Sequence, residues 1–259
     1  MITAKSNPQL KYLATLLKKR RAREEDRVFV CEGRKMFFEI LAQHPENLVK
    51  IYWSERGLAG LDDEELEALS TCSYETVSDE AFDAVAETVT PQGVLAVVRM
   101  PHYELSDMLV KEDARLLLLE SLRDPGNLGT VLRTAEAAGM SGVILTTDSV
   151  DVFNPKVVRS TMGAILRVPF LYAEDWQGTL AALKSEGVTL YAAHLQGSVP
   201  YTEPTYEGRT GILIGNEANG LTEETTAMAD VRVRIPMEGM AESLNAAVAA
   251  AILMYRTKH

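Results

Sequence analysis

Cysteine, histidine and long apolar runs are all scarce in this 259-residue chain. Two cysteines, Cys31 and Cys72, lie far apart, and no CxxC occurs. Buried reduced thiols in a reducing cytoplasm are expected, not a disulfide framework. The four histidines (His44, His102, His194, His259) are scattered, which speaks against a structural zinc site, and no metal is expected. The longest apolar run, Ala246 to Met254, is alanine-rich and too short to span a bilayer. Met1-Ile-Thr-Ala-Lys-Ser6 lacks the apolar stretch of a signal peptide. A cytoplasmic protein without membrane contact is the expectation. Also absent are a GxGxxG after the first strand, a Walker A motif, a GxSxG elbow and an HExxH. Their absence disfavours a nicotinamide Rossmann enzyme, a P-loop NTPase, a serine hydrolase and a zinc protease.

Positive charge is scarce too, with 26 Lys and Arg against 37 Asp and Glu and a net charge of −11. Its distribution is uneven. Residues 1–35 hold ten basic and four acidic side chains, a local +6; in the remaining 224 residues 16 basic face 33 acidic ones, giving −17. Two accounts fit. The basic segment around Lys11, Lys18, Lys19, Arg20, Arg21 and Arg23 suits a polyanion. Equally, Lys18-Lys-Arg-Arg21 followed by Glu24-Glu-Asp26 suits a solvated helix face.

What is present is ample apolar content, 46%, enough for a packed core in one large domain or two modest ones. Residues 1–103 read as a small α/β unit. Asn7-Pro8 opens a helix to about Glu25 with Leu10, Leu13, Leu16 and Leu17 on one side. Strands are expected at Arg27–Cys31, Val49–Trp53 and Gly93–Val98, with helices near Arg34–Gln43 and Asp79–Ala86. Residues 104–112, polar after Pro101, read as a linker. Over residues 113–259 strands and helices alternate, from Arg115–Glu120 to a last helix Ser243–Lys258, which indicates a mostly parallel, doubly covered α/β sheet.

Three segments in this second part carry chemistry. Asn127-Leu-Gly-Thr-Val-Leu-Arg133 opens a helix with Asn127 expected as its N-cap, Gly129 baring the first turn and Arg133 off the apolar face. Gly215-Asn-Glu-Ala-Asn-Gly220 ends an apolar strand, and its Glu217 has no basic neighbour in sequence. Ile235-Pro-Met237 ends another strand before Ser243-Leu-Asn245, where Ser243 is expected to cap a small-residue helix. Strand-to-helix junctions are where open α/β sheets gather ligands, so one composite site is expected. Ordinary capped helices and a glycine turn are the competing account of each segment alone.

Together these segments resemble the three motifs of the SpoU/TrmH branch of the SPOUT RNA methyltransferases: N-x-G-x-x-x-R, G-x-E-x-x-G, and I-P-M followed by S-L-N. Arg159-Ser-Thr-Met-Gly163-Ala164 is similar to a further family helix, and Phe29-Val-Cys-Glu32-Gly33 and Thr90-Pro-Gln-Gly93 resemble a ribosomal-protein-like substrate-binding domain. Asn216 stands where many relatives carry Ser or Thr. The resemblance implies an N-terminal RNA-binding domain, a parallel α/β SPOUT domain with a trefoil knot, and a homodimer. It implies methyl transfer from S-adenosylmethionine to a ribose 2′-hydroxyl, of ribosomal RNA before tRNA. Arg133, Asn127, Glu217, Ser243 and Asn245 would then carry catalysis. Leu195, Gly197, Gly215, Asn216, Glu217, Ile235, Met237 and Leu244 would hold the cofactor. A non-catalytic ribosome-assembly protein on the same fold, or a base methyltransferase, are the alternatives.

Overall fold

The computed structural model describes residues 1–257, so the expected helix end at Lys258 lies outside the described residues. The chain folds as two compact units, one of Met1–Pro101 with Phe153–Gly163, the other of His102–Val152 with the chain from Ala164 onward.

In the first unit, Asn7 Oδ1 accepts from Gln9 N at 2.8 Å and Pro8 occupies the first turn, so α1 (Pro8–Lys18) starts as the sequence indicates. Its four leucines are buried, worth on the order of 8 kcal/mol before chain entropy. The expected single helix is broken, however. Lys19 is extended (φ −117°, ψ 111°), and α2 (Arg20–Asp26) starts afresh. Arg23 is the cause. It is buried instead of standing on the basic face, and its Nη1 donates to the carbonyls of Leu16 and Leu17 at the end of α1. Arg23 is thereby withdrawn from the expected RNA-facing set. Arg20 and Arg21 pair with Glu24 and Glu25 one turn on, whereas Lys11, Lys18 and Lys19 are exposed.

The unit continues with β1 (Val28–Glu32), α3 (Arg34–Gln43), β2 (Leu48–Ser54), α4 (Glu55–Ala59), α5 (Asp63–Leu69), β3 (Glu75–Val77), α6 (Asp79–Asp83) and β4 (Val94–Arg99). The sheet order is β1-β4-β2-β3, antiparallel except for β2 with β3. Sequence periodicity missed α4, α5 and β3, all too short to complete a pattern. The start of α5 is local chemistry: Asp62 and Glu65 close a capping box.

Next come α7 (Leu105–Met108), β5 (Arg115–Leu119), α8 (Pro125–Ala138), β6 (Gly142–Thr146), α9 (Pro155–Ser160), β7 (Phe170–Ala173), α10 (Trp176–Ser185), β8 (Thr189–Ala193), β9 (Val199–Pro200), β10 (Thr210–Ile214), α11 (Glu223–Met228), β11 (Val231–Arg234) and α12 (Ala246–Arg256). Two departures from the sequence stand out. The stretch expected as a linker contains α7, whose Met108 is buried against Gly142, where a Cβ would strike its sulfur. And α9, expected in the C-terminal part, belongs to the first unit and packs on β1.

The seven strands of the second unit run β7-β6-β5-β10-β8-β11-β9, every pair parallel. Leu116, Leu117, Leu118 and Leu119 of β5 are fully buried, as expected for a sheet covered on both faces. Because β10 lies between β5 and β8, with β11 beyond, the carboxyl ends of four neighbouring strands share one edge.

Candidate active site

The loops leaving that edge hold the three motifs. After β5, helix α8 begins three residues earlier than expected: Asp124, not Asn127, is the N-cap, accepting from Asn127 N at 2.8 Å, with Pro125 in the first turn. After β11, α12 is capped by Asn245, not Ser243; Asn245 Oδ1 accepts from Ala247 N at 2.9 Å and Val248 N at 3.3 Å. These corrections have a common consequence. With Asp124 doing the capping, the amide of Asn127 is free to turn outward.

It turns to both other motifs. Asn127 Nδ2 donates to Glu217 Oε1 at 2.8 Å, and Asn245 Nδ2 donates to Asn127 Oδ1 at 2.9 Å. Glu217 also accepts from the backbone N–H of Asp124 (3.2 Å) and Arg123 (3.3 Å). The direction of this relay is fixed at both ends. An ionised carboxylate only accepts, so it takes the amide nitrogen of Asn127; helix N–H groups only donate, so they take the amide oxygen of Asn245. Partial burial pushes the Glu217 carboxyl up. The Asn127 amide and the Asp124 and Arg123 N–H groups outweigh it, holding the carboxyl below its ordinary value. Arg133 lies two turns along α8 from Asn127, exposed, with no hydrogen-bond or ion-pair partner among the described residues.

Beside the relay lies a cleft of about 570 Å³, within the range of small-molecule sites. Leu195, Ile235, Met237 and Leu244 supply apolar wall, and Gly215, Asn216 and Glu217 enter from the β10 loop. Ser243 and Asn245 also line it; Gly197, Asn127 and Arg133 do not. Gly215 is required by close approach, since a Cβ there would collide with the Gly220 carbonyl as the loop folds back in the Asn216–Gly220 bridge. Asn216 Oδ1 accepts from Ala218 N (2.9 Å) and Asn219 N (2.7 Å) and so stiffens that turn.

Sequence patterns missed one supporting residue, Glu120. Buried at the end of β5, it accepts from Thr222 N and Oγ1, both at 2.8 Å, and from Thr225 Oγ1 at 2.5 Å. The loops after β5 and β10 are thus tied reciprocally, Glu120 reaching one way and Glu217 the other. An acidic residue closing a run of four leucines was the available signal.

A parallel sheet with a small-molecule cleft at its carboxyl ends, flanked by a polar relay, is the arrangement in which open α/β proteins bind ligands. Residues 114–255 match the SpoU rRNA Methylase family and residues 7–96 the MRM3-like substrate binding domain; the chain belongs to the SpoU rRNA methylase family. It is 39% identical over 182 residues to the 23S rRNA (guanosine(2553)-2′-O)-methyltransferase RlmP of Bacillus subtilis, covering 70% of this chain and 71% of that one. It is 32% identical to the 23S rRNA (uridine(2479)-2′-O)-methyltransferase of Streptomyces viridochromogenes, covering 79% and 73%. The AdoMet-bound rRNA methyltransferase of Sinorhizobium meliloti superposes with a TM-score of 0.87 at 30% identity, covering 99% of this chain and 96% of that one. The fold is that of the SPOUT methyltransferases.

Proposed function

We propose that this protein transfers a methyl group from S-adenosylmethionine to a ribose 2′-hydroxyl of ribosomal RNA. The observation that carries this reading is the joining of three motif loops around one cleft by the Glu217–Asn127–Asn245 relay. The cleft suits the methyl donor: apolar side chains for the adenine, a glycine-bared loop for close approach, and amide and hydroxyl groups for the polar tail. Bound there, S-adenosylmethionine supplies an activated sulfonium methyl group.

The chain then has two tasks: to hold the ribose hydroxyl in line, and to stabilise charge growing on its oxygen. The oxygen–methyl bond forms as the sulfonium bond breaks, and the hydroxyl proton leaves. Arg133 performs the second task, its unpaired guanidinium gripping the hydroxyl and the neighbouring phosphate. A guanidinium keeps its proton, so the proton passes to phosphate or water. Asn127 and Asn245 orient the ribose, with Glu217 fixing the amide of Asn127, and Ser243 touches the substrate from the mouth of the cleft.

Exposed Lys11, Lys18 and Lys19 hold RNA phosphates, and 23S rRNA as acceptor follows the two relatives that act on it. A trefoil knot at the β10 and β11 loops and a homodimer belong to the same reading. The dimer is supported by Val248 and Tyr255, which stand exposed on α12. A cytoplasmic setting accords with a chain in which no helix among the described residues is long and apolar enough to cross a membrane.

The test is transfer of labelled methyl to unmodified ribosomal RNA and tRNA, with Arg133→Ala and Arg133→Lys alongside. Label on ribosomal RNA that resists alkaline cleavage and is lost in both variants is the expected result. Label without alkaline resistance means base methylation. Cofactor binding without label on either RNA overturns the choice of acceptor.

A further inference from the structure

Ser121, in the loop after β5, holds a left-handed backbone (φ 55°) that a side chain rarely adopts. The end of β6 keeps it there. Ser121 N donates to Thr146 Oγ1 at 2.8 Å, Ser121 Oγ to Asp148 Oδ2 at 2.7 Å, and Val150 N to Leu122 O at 2.8 Å. Asp148 is the hub. It also accepts from Thr146 Oγ1 at 2.6 Å and from Arg123 Nη2 at 2.6 Å, while its backbone carbonyl takes Arg123 Nη1 at 2.7 Å. Arg123 is therefore gripped by its side chain at Asp148 and offers its backbone N–H to Glu217.

We infer that Asp148 is a positioning residue for methyl transfer, holding Ser121–Asp124 in the conformation that aims the Arg123 and Asp124 N–H groups at Glu217, and through Glu217 the amides of Asn127 and Asn245. The inference rests on the methyl-transfer reading of the site. Asp148 does not line the cleft, so it acts on the relay and not on the methyl donor. An ordinary exposed ion pair contributes little, and the Asp148 side chain is 46% exposed. What sets it apart is the meeting of three side-chain donors on one carboxylate, beside a strained residue, one step from the relay. Partial burial raises this carboxyl, but the Thr146 and Ser121 hydroxyls and Arg123 outweigh it, so it stays ionised at neutral pH.

Asp148→Asn keeps the shape but sets an amide N–H against donors. Misaimed amides cost roughly ten- to a hundredfold in kcat, with the KM for S-adenosylmethionine unchanged. Asp148→Glu, which restores the charge, recovers part of the rate. Because both residues serve one relay, Asp148→Asn combined with Glu217→Gln is no slower than the slower single variant. Hydrogen exchange over 121–127 speeds up in Asp148→Asn. The inference falls if Asp148→Asn turns over like the wild type, if its loss multiplies with that of Glu217→Gln, or if exchange over 121–127 is unaltered. Should the wild type neither bind S-adenosylmethionine nor label RNA, the methyl-transfer reading fails instead, and the exchange measurement still decides whether Asp148 holds this loop.

Discussion

Glu217 is a carboxylate without a cation. Its partners are one amide and two backbone N–H groups, so what it fixes is direction, not net charge. Glu217→Gln keeps one acceptor and turns an N–H₂ group toward donors that cannot receive it. Transfer by that variant is expected to fall by more than tenfold, since more than about 1.4 kcal/mol of alignment is lost, with a thermal midpoint close to the wild type. Equal losses in rate and midpoint would make the residue a structural tie. The sign of its pH dependence follows from a folded-state value held below the ordinary one. The tie contributes fully above the ordinary carboxylate value of about 4.3 and is lost as pH falls through the depressed value. Asp148 faces the same loop and its carboxyl is likewise held below its ordinary value, so the quantity to measure is the wild-type melting profile minus that of Glu217→Gln. At this scale the sequence was partly legible. A glutamate with no basic neighbour flagged a role, but the capping duties of Asn127 and Ser243 were assigned wrongly. The proline at 125 already marked Asp124 as the cap.

Among the elements, the break between α1 and α2 shows what periodicity does not see. Residues 8–25 keep an amphipathic pattern across Lys19, and the interruption goes with the Arg23 side chain, four residues on, which folds back to the Leu16 carbonyl at the end of the first helix. Removing that side chain leaves Leu16 and Leu17 carbonyls buried without their charged donor. Arg23→Ala is expected to cost about 2 kcal/mol in denaturant unfolding and to leave RNA affinity per folded molecule nearly unchanged. A large drop in affinity at unchanged stability would return Arg23 to the RNA-facing set. The long elements were legible because they run enough turns to repeat: α3 spans the expected Arg34–Gln43, and the expected α8 is present with its start displaced by three residues. The short α4, α5, β3 and β9 were not, since their boundaries depend on neighbours contributed by distant sequence.

At the level of the whole molecule, alternation of strand and helix announced a parallel sheet, while strand order stayed hidden. Nothing local tells β10 to lie between β5 and β8, or α9 to join the first unit, because both are choices between equally apolar surfaces. Charge is the whole-molecule property that sequence gives most directly, and it yields a quantitative expectation for RNA binding. A body carrying −17 outside a +6 segment disfavours the phosphate chain over most of its surface, so apart from Arg133 at the proposed site that segment is where phosphate contact is expected. Within it, structure removes Arg23 by burial and commits Arg20 and Arg21 to Glu24 and Glu25. On the proposed reading, exposed Lys11, Lys18 and Lys19 then carry the phosphate contact of this segment. Each phosphate neutralised contributes roughly 0.7 to 0.9 to the slope of log affinity against log salt. Replacing any of these lysines by alanine should flatten that slope by about that amount, whereas Arg20→Ala or Arg21→Ala should change it less, because each also frees an acidic neighbour. Binding of ribosomal RNA fragments measured across a salt series decides the matter. Equal slopes for the lysine variants and the wild type would place the RNA on another face.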